Sequence, residues 1–383
     1  MKSPQPSKTT CIIVFFMAFL LIGQSCKKDH QPLPSEKEEV EDADPDASIK
    51  GFYLLNEGNM NMNKASLDYM DLQAGEYHRN IYNEINPEIT KGLGDVGNDM
   101  AVYGSKLYII VNNSNKVEVL DKYTAKRIGQ IDIINCRYIT FGNGRAYVSA
   151  YLGSVGDPNA PNGMVAEIDT ASLEITRRVE VGRQPEELAI VGERLYVANS
   201  GGYSPPNYES TISVIDLESF EEVKRIEVAP NLHRLKADSY GDLYVTSRGD
   251  YYETPSKIYV IDTGTESVKK EFEIAASQLL IDDDIAYIYS TEWSYITGEN
   301  EIGYHMLDVK NEELLDRSFI TDGTEQEITL PYGIAVNPET KDVYVTDAKD
   351  YVSPGTIYCF DKDGKLKWST TTGDIPAHFA FIY

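Results

Sequence analysis

The sequence predicts an all-β fold: a seven-bladed β-propeller, its ring closed by the C-terminal strand pairing into the first blade. Three observations carry this expectation. Between Pro185 and Val228 stand four short β-type runs: Leu188-Ala189-Ile190-Val191, Leu195-Tyr196-Val197-Ala198, Thr211-Ile212-Ser213-Val214-Ile215-Asp216 and Val223-Lys224-Arg225-Ile226-Glu227-Val228. Turn residues such as Gly192-Glu193-Arg194 separate them. The second run carries a tyrosine that recurs as Tyr53, Tyr108, Tyr147, Tyr196, Tyr244, Tyr287 and Tyr344. The third run ends in an aspartate that recurs as Asp71, Asp121, Asp169, Asp216, Asp262, Asp308 and Asp361. Four strands repeating seven times read as propeller blades; a β-sandwich or a β-solenoid is the competing reading.

The chain has 383 residues, yet residues 51–383 divide into seven units of about 48, inside the usual blade length of roughly 40–50. One domain therefore absorbs nearly the whole chain. The formal charge of −26 argues against nucleic acid as a partner and favours neutral or cationic ligands. Of the four cysteines, Cys136 and Cys359 fall in different blades and read as buried small hydrophobes.

In chain order, Lys2 and Lys8 precede an apolar run from Cys11 to Ile22, too short to span a bilayer comfortably. Residues 1–25 thus read as a signal peptide. Its end, Leu21-Ile22-Gly23-Gln24-Ser25-Cys26, resembles a bacterial lipobox, which makes Cys26 the acylated N-terminus; Gln24 beside the cleavage site departs from that pattern. Residues 26–50 are rich in Pro, Glu, Asp and Lys and read as an acidic disordered tether. The propeller proper is expected over 51–383. It opens at Gly51-Phe52-Tyr53-Leu54-Leu55, a second-strand run with no inner strand before it. At the other end, Pro376-Ala377-His378-Phe379-Ala380-Phe381-Ile382 is an inner strand with no blade after it. Joining the two closes the ring and removes the exposed sheet edges.

With strands lettered A (inner) to D (outer), up-down order places B–C loops and D–A segments on one face and the short A–B and C–D turns on the other. The B–C loops are long and irregular, which is where binding groups usually lie. They supply Tyr151, Tyr203, Tyr208, Arg248, Tyr251, Tyr252, Trp293, Tyr295 and Tyr351. The D–A segments add Asn98, Asp99, Arg137, Tyr138, Glu186, His233, Arg234, Gln278, Tyr332 and His378 beside the central channel. The expected site is a ring of aromatics, large contact surfaces with polar tips, around a hydrogen-bonding centre. Motifs for catalysis are thin. There is no His-x-x-x-His, Cys-x-x-Cys, Gly-x-Ser-x-Gly or phosphate loop, so no enzymatic role, metal or cofactor is expected. A lactonase-type metal cage would have to draw on Asn98, Asp99 and Glu186.

The lipobox, the acidic tether and a propeller opening with Leu55-Asn56-Glu57-Gly58-Asn59 and Ser66-Leu67-Asp68-Tyr69 resemble the surface lipoproteins of the Bacteroidetes, YncE-like seven-bladed propellers. Among these the chain looks like the BtuG-like group. That resemblance implies cobalamin or another corrinoid as a transported ligand, held on the loop-rich face without catalysis. It also implies handover to a TonB-dependent outer-membrane transporter, and a lipid anchor in the outer membrane facing the cell exterior. A broad apolar ring edged with neutral amides suits tyrosine walls and donors and acceptors such as Asn98, Arg137, Gln278 and Tyr332. A glycan-binding lipoprotein, a protein-docking scaffold and a metal-dependent lactonase-type enzyme are the alternatives.

Overall fold

A computed structural model describes residues 34–154, 157–294 and 299–383. The expected signal peptide, Cys26, the first part of the tether, Tyr295 and the side chain of Trp293 lie outside the described residues. Seven antiparallel sheets form the ring, six of four strands and one of five. The C-terminal strand Pro376–Ile382 pairs antiparallel with Gly51–Asn56, so the first blade is completed by the last strand of the chain.

The two recurring marks have distinct jobs. The seven strand-B tyrosines are all buried in the packing between blades. Three reach across to the next blade's C–D turn: Tyr53, Tyr108 and Tyr244 donate their hydroxyls to the carbonyls of Lys122, Thr170 and Val309. Each acceptor directly follows one of the recurring aspartates. The aspartates themselves cap these turns by accepting backbone N–H groups, as Asp169 does from Ala171 and Ser172 and Asp361 from Asp363 and Lys365. Four residues after the aspartate the backbone turns left-handed, at Gly75, Ala125, Leu173, Phe220, Glu266 and Glu312.

Two features depart from the sequence reading. Residues 34–50, expected to be disordered, are folded onto the first blade. Glu36–Glu39 forms its fifth, outermost strand against Glu76–Arg79, and Ile49 is fully buried. Ion pairs hold the segment there: Glu36 to Arg79, Glu41 to Lys367, and Lys37 of the segment to Glu76 of the blade. The second is Trp293–Asn300, read as a loop. Its flanks extend strands Ile285–Ser294 and Glu299–Asp308 into a long hairpin in which Trp293 pairs with Asn300. The alternation of Tyr289, Thr291 and Trp293 with Ser290 and Glu292 already had the strand period.

Hydrogen bonds settle which connections share a face. The residue leaving strand B donates its N–H to the carbonyl of the residue just before strand A in six blades. The pairs are Glu57 to Ile375, Asn112 to Val96, Tyr151 to Asn135, Ser200 to Gln184, Arg248 to Asn231 and Ala348 to Leu330. The C–D turns are tied to the A–B turns instead, as in Lys122 to Ser105, Thr170 to Gly144 and Val309 to Asp284. B–C loops and D–A segments therefore lie together on one face.

Candidate functional site

A backbone device repeated around the ring builds the channel end of that face. Before strand A the chain enters the left-handed region in five blades, at Val96, Asn135, Gln184, Asn231 and Ile375. Val96 and Ile375 are β-branched, and such residues hold this conformation only where the surroundings impose it. Strand A then bulges. The A–B register slips at Asn98, at Arg137-Tyr138, at Glu186-Glu187, at His233-Arg234, at Tyr332-Gly333 and at Ala377. A bulge re-aims side chains and leaves an N–H unpaired in the ladder. Three blades satisfy that donor with a hydroxyl two residues after the strand-B tyrosine. Tyr138 N–H donates to Ser149 Oγ (3.1 Å), Arg234 N–H to Thr246 Oγ1 (3.0 Å) and Gly333 N–H to Thr346 Oγ1 (2.7 Å).

The sequence reading put Asn98, Asp99, Arg137, Tyr138, Glu186, His233, Gln278, Tyr332 and His378 in connecting segments. The structure places them on the first residues of the inner strands, with bulges giving loop-like access to the channel. Most form one network. Glu186, 2% exposed, accepts from Arg137 Nη2 (3.0 Å), Tyr151 Oη (2.6 Å) and Ser200 Oγ (3.2 Å), with Arg248 Nη1 at 3.6 Å. Burial pushes its carboxyl pKa up, but Arg137, Arg248 and the Tyr151 hydroxyl overcome that and hold it below the usual range. Arg137 also donates to Asn98 Oδ1, and Asn98 Nδ2 donates to the Arg137 carbonyl (2.6 Å). Tyr138 Oη meets His233 Nε2 at 2.9 Å, and its ring lies beneath the guanidiniums of Arg137 and Arg234, at 5.5 and 5.2 Å. Burial, then Arg248, Arg234, Arg137 and His378, keep His233 neutral by lowering its pKa well below the usual value. On the opposite arc, Tyr332 Oη donates to Glu57 Oε2 (2.9 Å), while His378 lies 3.3 Å from Glu57 Oε1 and 3.8 Å from Asp99. Gln278 is buried in the one inner strand without a bulge.

Tyr138 and Tyr151 are therefore internal members of the network and not free aromatic walls; guanidiniums already cover faces of both rings. The open aromatics are farther out. Tyr203, Tyr251, Tyr252 and Tyr351 are 64%, 50%, 80% and 45% exposed, all in B–C loops. Tyr251 packs against Tyr203 and Tyr208, at 6.0 and 6.2 Å, and Tyr351 against Tyr332 at 5.8 Å. Tyr251 and Tyr351 are equivalent. Each is left-handed, at φ 64° and 63°, after an aspartate that accepts backbone N–H groups beyond the tyrosine. The face also exposes Met60, Met62 and Val352. The opposite face exposes Tyr123 and Tyr240 in its short turns.

Sequence reasoning missed three network members: Glu57, Glu187, which accepts from Lys236 and the Leu235 N–H, and Tyr289, whose hydroxyl donates to the Tyr332 carbonyl. Glu57 stands in the quoted Asn-Glu-Gly-Asn opening and Tyr289 two residues after a marker tyrosine; Glu187 had no separate signal. Among the described residues no three His, Cys, Asp or Glu side chains converge in a metal-holding arrangement. Of the cage candidates, Glu186 and Asn98 are engaged by Arg137, and Asp99 Oδ2 accepts the Ile139 N–H at 2.9 Å.

A family model described as a domain of unknown function, DUF5074, matches residues 50–379. No curated protein matches the chain. Among solved structures, the chain is similar to a quinonprotein alcohol dehydrogenase-like protein from Bacteroides thetaiotaomicron (16% identity, 87% of this chain and 78% of that one, TM-score 0.61). It is also similar to a candidate 6-phosphogluconolactonase from Bacteroides fragilis (14% identity, 89% and 100%, TM-score 0.59) and to Kuenenia stuttgartiensis hydrazine synthase (16%, 70% and 77%, 0.53). At these identities the likeness is one of fold alone.

Proposed function

The chain belongs to the DUF5074 family, whose model covers residues 50–379, and we propose that this member is a ligand-capturing propeller that holds cobalamin or a related corrinoid on its loop-rich face. In this reading it is not an enzyme. Cys26 anchors it to the outer membrane by lipid, facing the exterior, and it passes its ligand to a TonB-dependent transporter. The observation that carries the reading is the layering of the face: four exposed tyrosines in an outer rim, and a buried polar network of mixed charge at the channel end. A corrinoid offers an apolar plane to the first and amide donors and acceptors to the second. Each stacked ring contributes about 0.5–1.5 kcal/mol beyond its buried area. Several must engage together to offset an association cost of about 4–15 kcal/mol.

Calorimetric titration of the purified protein with cyanocobalamin tests the proposal. Saturable heat, and pink colour surviving desalting, are expected. Neither at micromolar concentration ends the corrinoid reading, and a hit on a glycan array would then redirect it to carbohydrate.

A further inference from the structure

Within the channel network one charged side chain makes no hydrogen bond or ion pair among the described residues. Glu186 is shared by Arg137 and Arg248. Glu187 takes Lys236 Nζ (2.5 Å) and the Leu235 N–H (2.7 Å). Asp99 accepts from the Met100 and Ile139 N–H groups, both at 2.9 Å. Arg234 is 91% buried, being 9% exposed, yet its guanidinium has no hydrogen-bond acceptor and no carboxylate within ion-pair distance among the described residues. Its Nε is a buried donor without a partner, and Nδ1 of its neighbour His233 is a buried nitrogen without one. Tyr138 joins the two, bonding His233 Nε2 and carrying Arg234 over its ring. When the Tyr138 hydroxyl donates to Nε2, the imidazole proton stands on Nδ1 as a second donor without an acceptor.

A buried guanidinium without an acceptor is costly unless something from outside answers it. We propose that the bulge of strand Leu232–Ala237 is an oxyanion site, where Arg234 and the His233 Nδ1–H receive a carboxylate or phosphate group of the bound ligand. The guanidinium fork fits either group bidentately. Asp99 and Glu187 lie in the same neighbourhood and oppose an anion, but their oxygens are engaged by the donors named above. The inference rests on the loop-rich face being the binding face; it does not depend on the ligand being a corrinoid.

The test follows the imidazole resonances of His233 in the full chain during titration with sodium acetate and, separately, inorganic phosphate. Saturable shifts with at least one anion are expected, and the tighter of the two names the ligand's acidic group. Arg234→Met should weaken that binding by at least about tenfold, the loss of a charge-assisted hydrogen bond. Arg234→Lys, which keeps the charge but not the fork, should fall between, and Tyr123→Ala on the opposite face should bind the anion as wild type does. Thermal melting checks that Arg234→Met is folded. No saturable shift with either anion, or equal binding by Arg234→Met, overturns the site. Anion binding without corrinoid binding would sink only the corrinoid reading, and corrinoid binding without anion binding only this one.

Discussion

Replacing Glu186 gives the sharpest perturbation of the channel network. This carboxylate is 2% exposed and carries Arg137, Tyr151 and Ser200, with Arg248 just beyond hydrogen-bond range. Glu186→Ala strips the counter-charge from Arg137, and breaking one side of a buried pair costs about 3–5 kcal/mol. Glu186→Gln keeps the shape and an acceptor for Tyr151 but loses the charge, so about 1–3 kcal/mol is expected. Urea unfolding followed by far-UV circular dichroism reads both as shifts in midpoint at constant slope. The double variant Arg137→Met/Glu186→Leu should recover most of the loss, because the desolvation of both charges disappears with the pair. The pH dependence has a definite sign. With its folded pKa below the unfolded 4.5, Glu186 contributes fully above that value and loses its contribution as pH falls through the lower folded pKa. The gap between wild type and Glu186→Gln should therefore close in acid. If Glu186→Ala unfolds within about 0.5 kcal/mol of wild type at neutral pH, the network is not holding the blades together and the reasoning fails.

Three further outcomes follow from the same geometry. Deleting residues 374–383 removes the strand that closes the first blade and exposes the edge of Gly51–Asn56, so soluble folded protein should be lost; a truncated chain melting with the intact one contradicts ring closure. Thr246→Val removes the hydroxyl that satisfies the Arg234 N–H and should cost about 1–3 kcal/mol in urea unfolding, whereas the same change at exposed Thr265 should cost little. Tyr252→Ala, at a side chain 80% exposed, should leave the melting temperature unchanged and weaken ligand binding, and the reverse pattern in melting and calorimetry would remove Tyr252 from the site.

The ring was readable because its marks are local and identical. An aspartate that ends strand C caps the turn after it, so the same residue had to recur at the same place, from Asp71 to Asp361. A tyrosine in strand B fills the same gap between blades each time. The site was readable only in outline. Which residues crowd the channel could be read from their position before each strand-B run. Their presentation could not, because a bulge is a register slip between two strands and neither strand displays it alone. The nearest sequence signal was the Ser or Thr two places after the marker tyrosine, at Ser149, Thr246 and Thr346, which answers the N–H that the bulge sets free. Residues 34–50 misled for a different reason. Their composition is that of a solvated tether, but Arg79 and Lys367 wait on the propeller to receive the charges of Glu36 and Glu41.

Comparing the blades with one another separates scaffold from site. Strand B offers tyrosine and strand C aspartate in all seven units; the aspartates, and three of the tyrosines, bond backbone in turns of the face opposite the long loops. At the bulge the backbone repeats but the side chains do not: Asn98, then Arg137-Tyr138, Glu186-Glu187, His233-Arg234, Tyr332-Gly333 and Ala377. Identical side chains in an identical backbone suit a task every blade shares, which is packing against its neighbour. Different side chains in an identical backbone suit a task no two blades share, as when an asymmetric guest lies across a symmetric ring. Two β-branched residues, Val96 and Ile375, are nonetheless held left-handed at this end, a strain of order 1–3 kcal/mol each that packing alone would relieve with glycine or asparagine. The ring thus spends conformational strain where its chemistry diverges, and the divergent positions converge on the channel end beneath the exposed tyrosines.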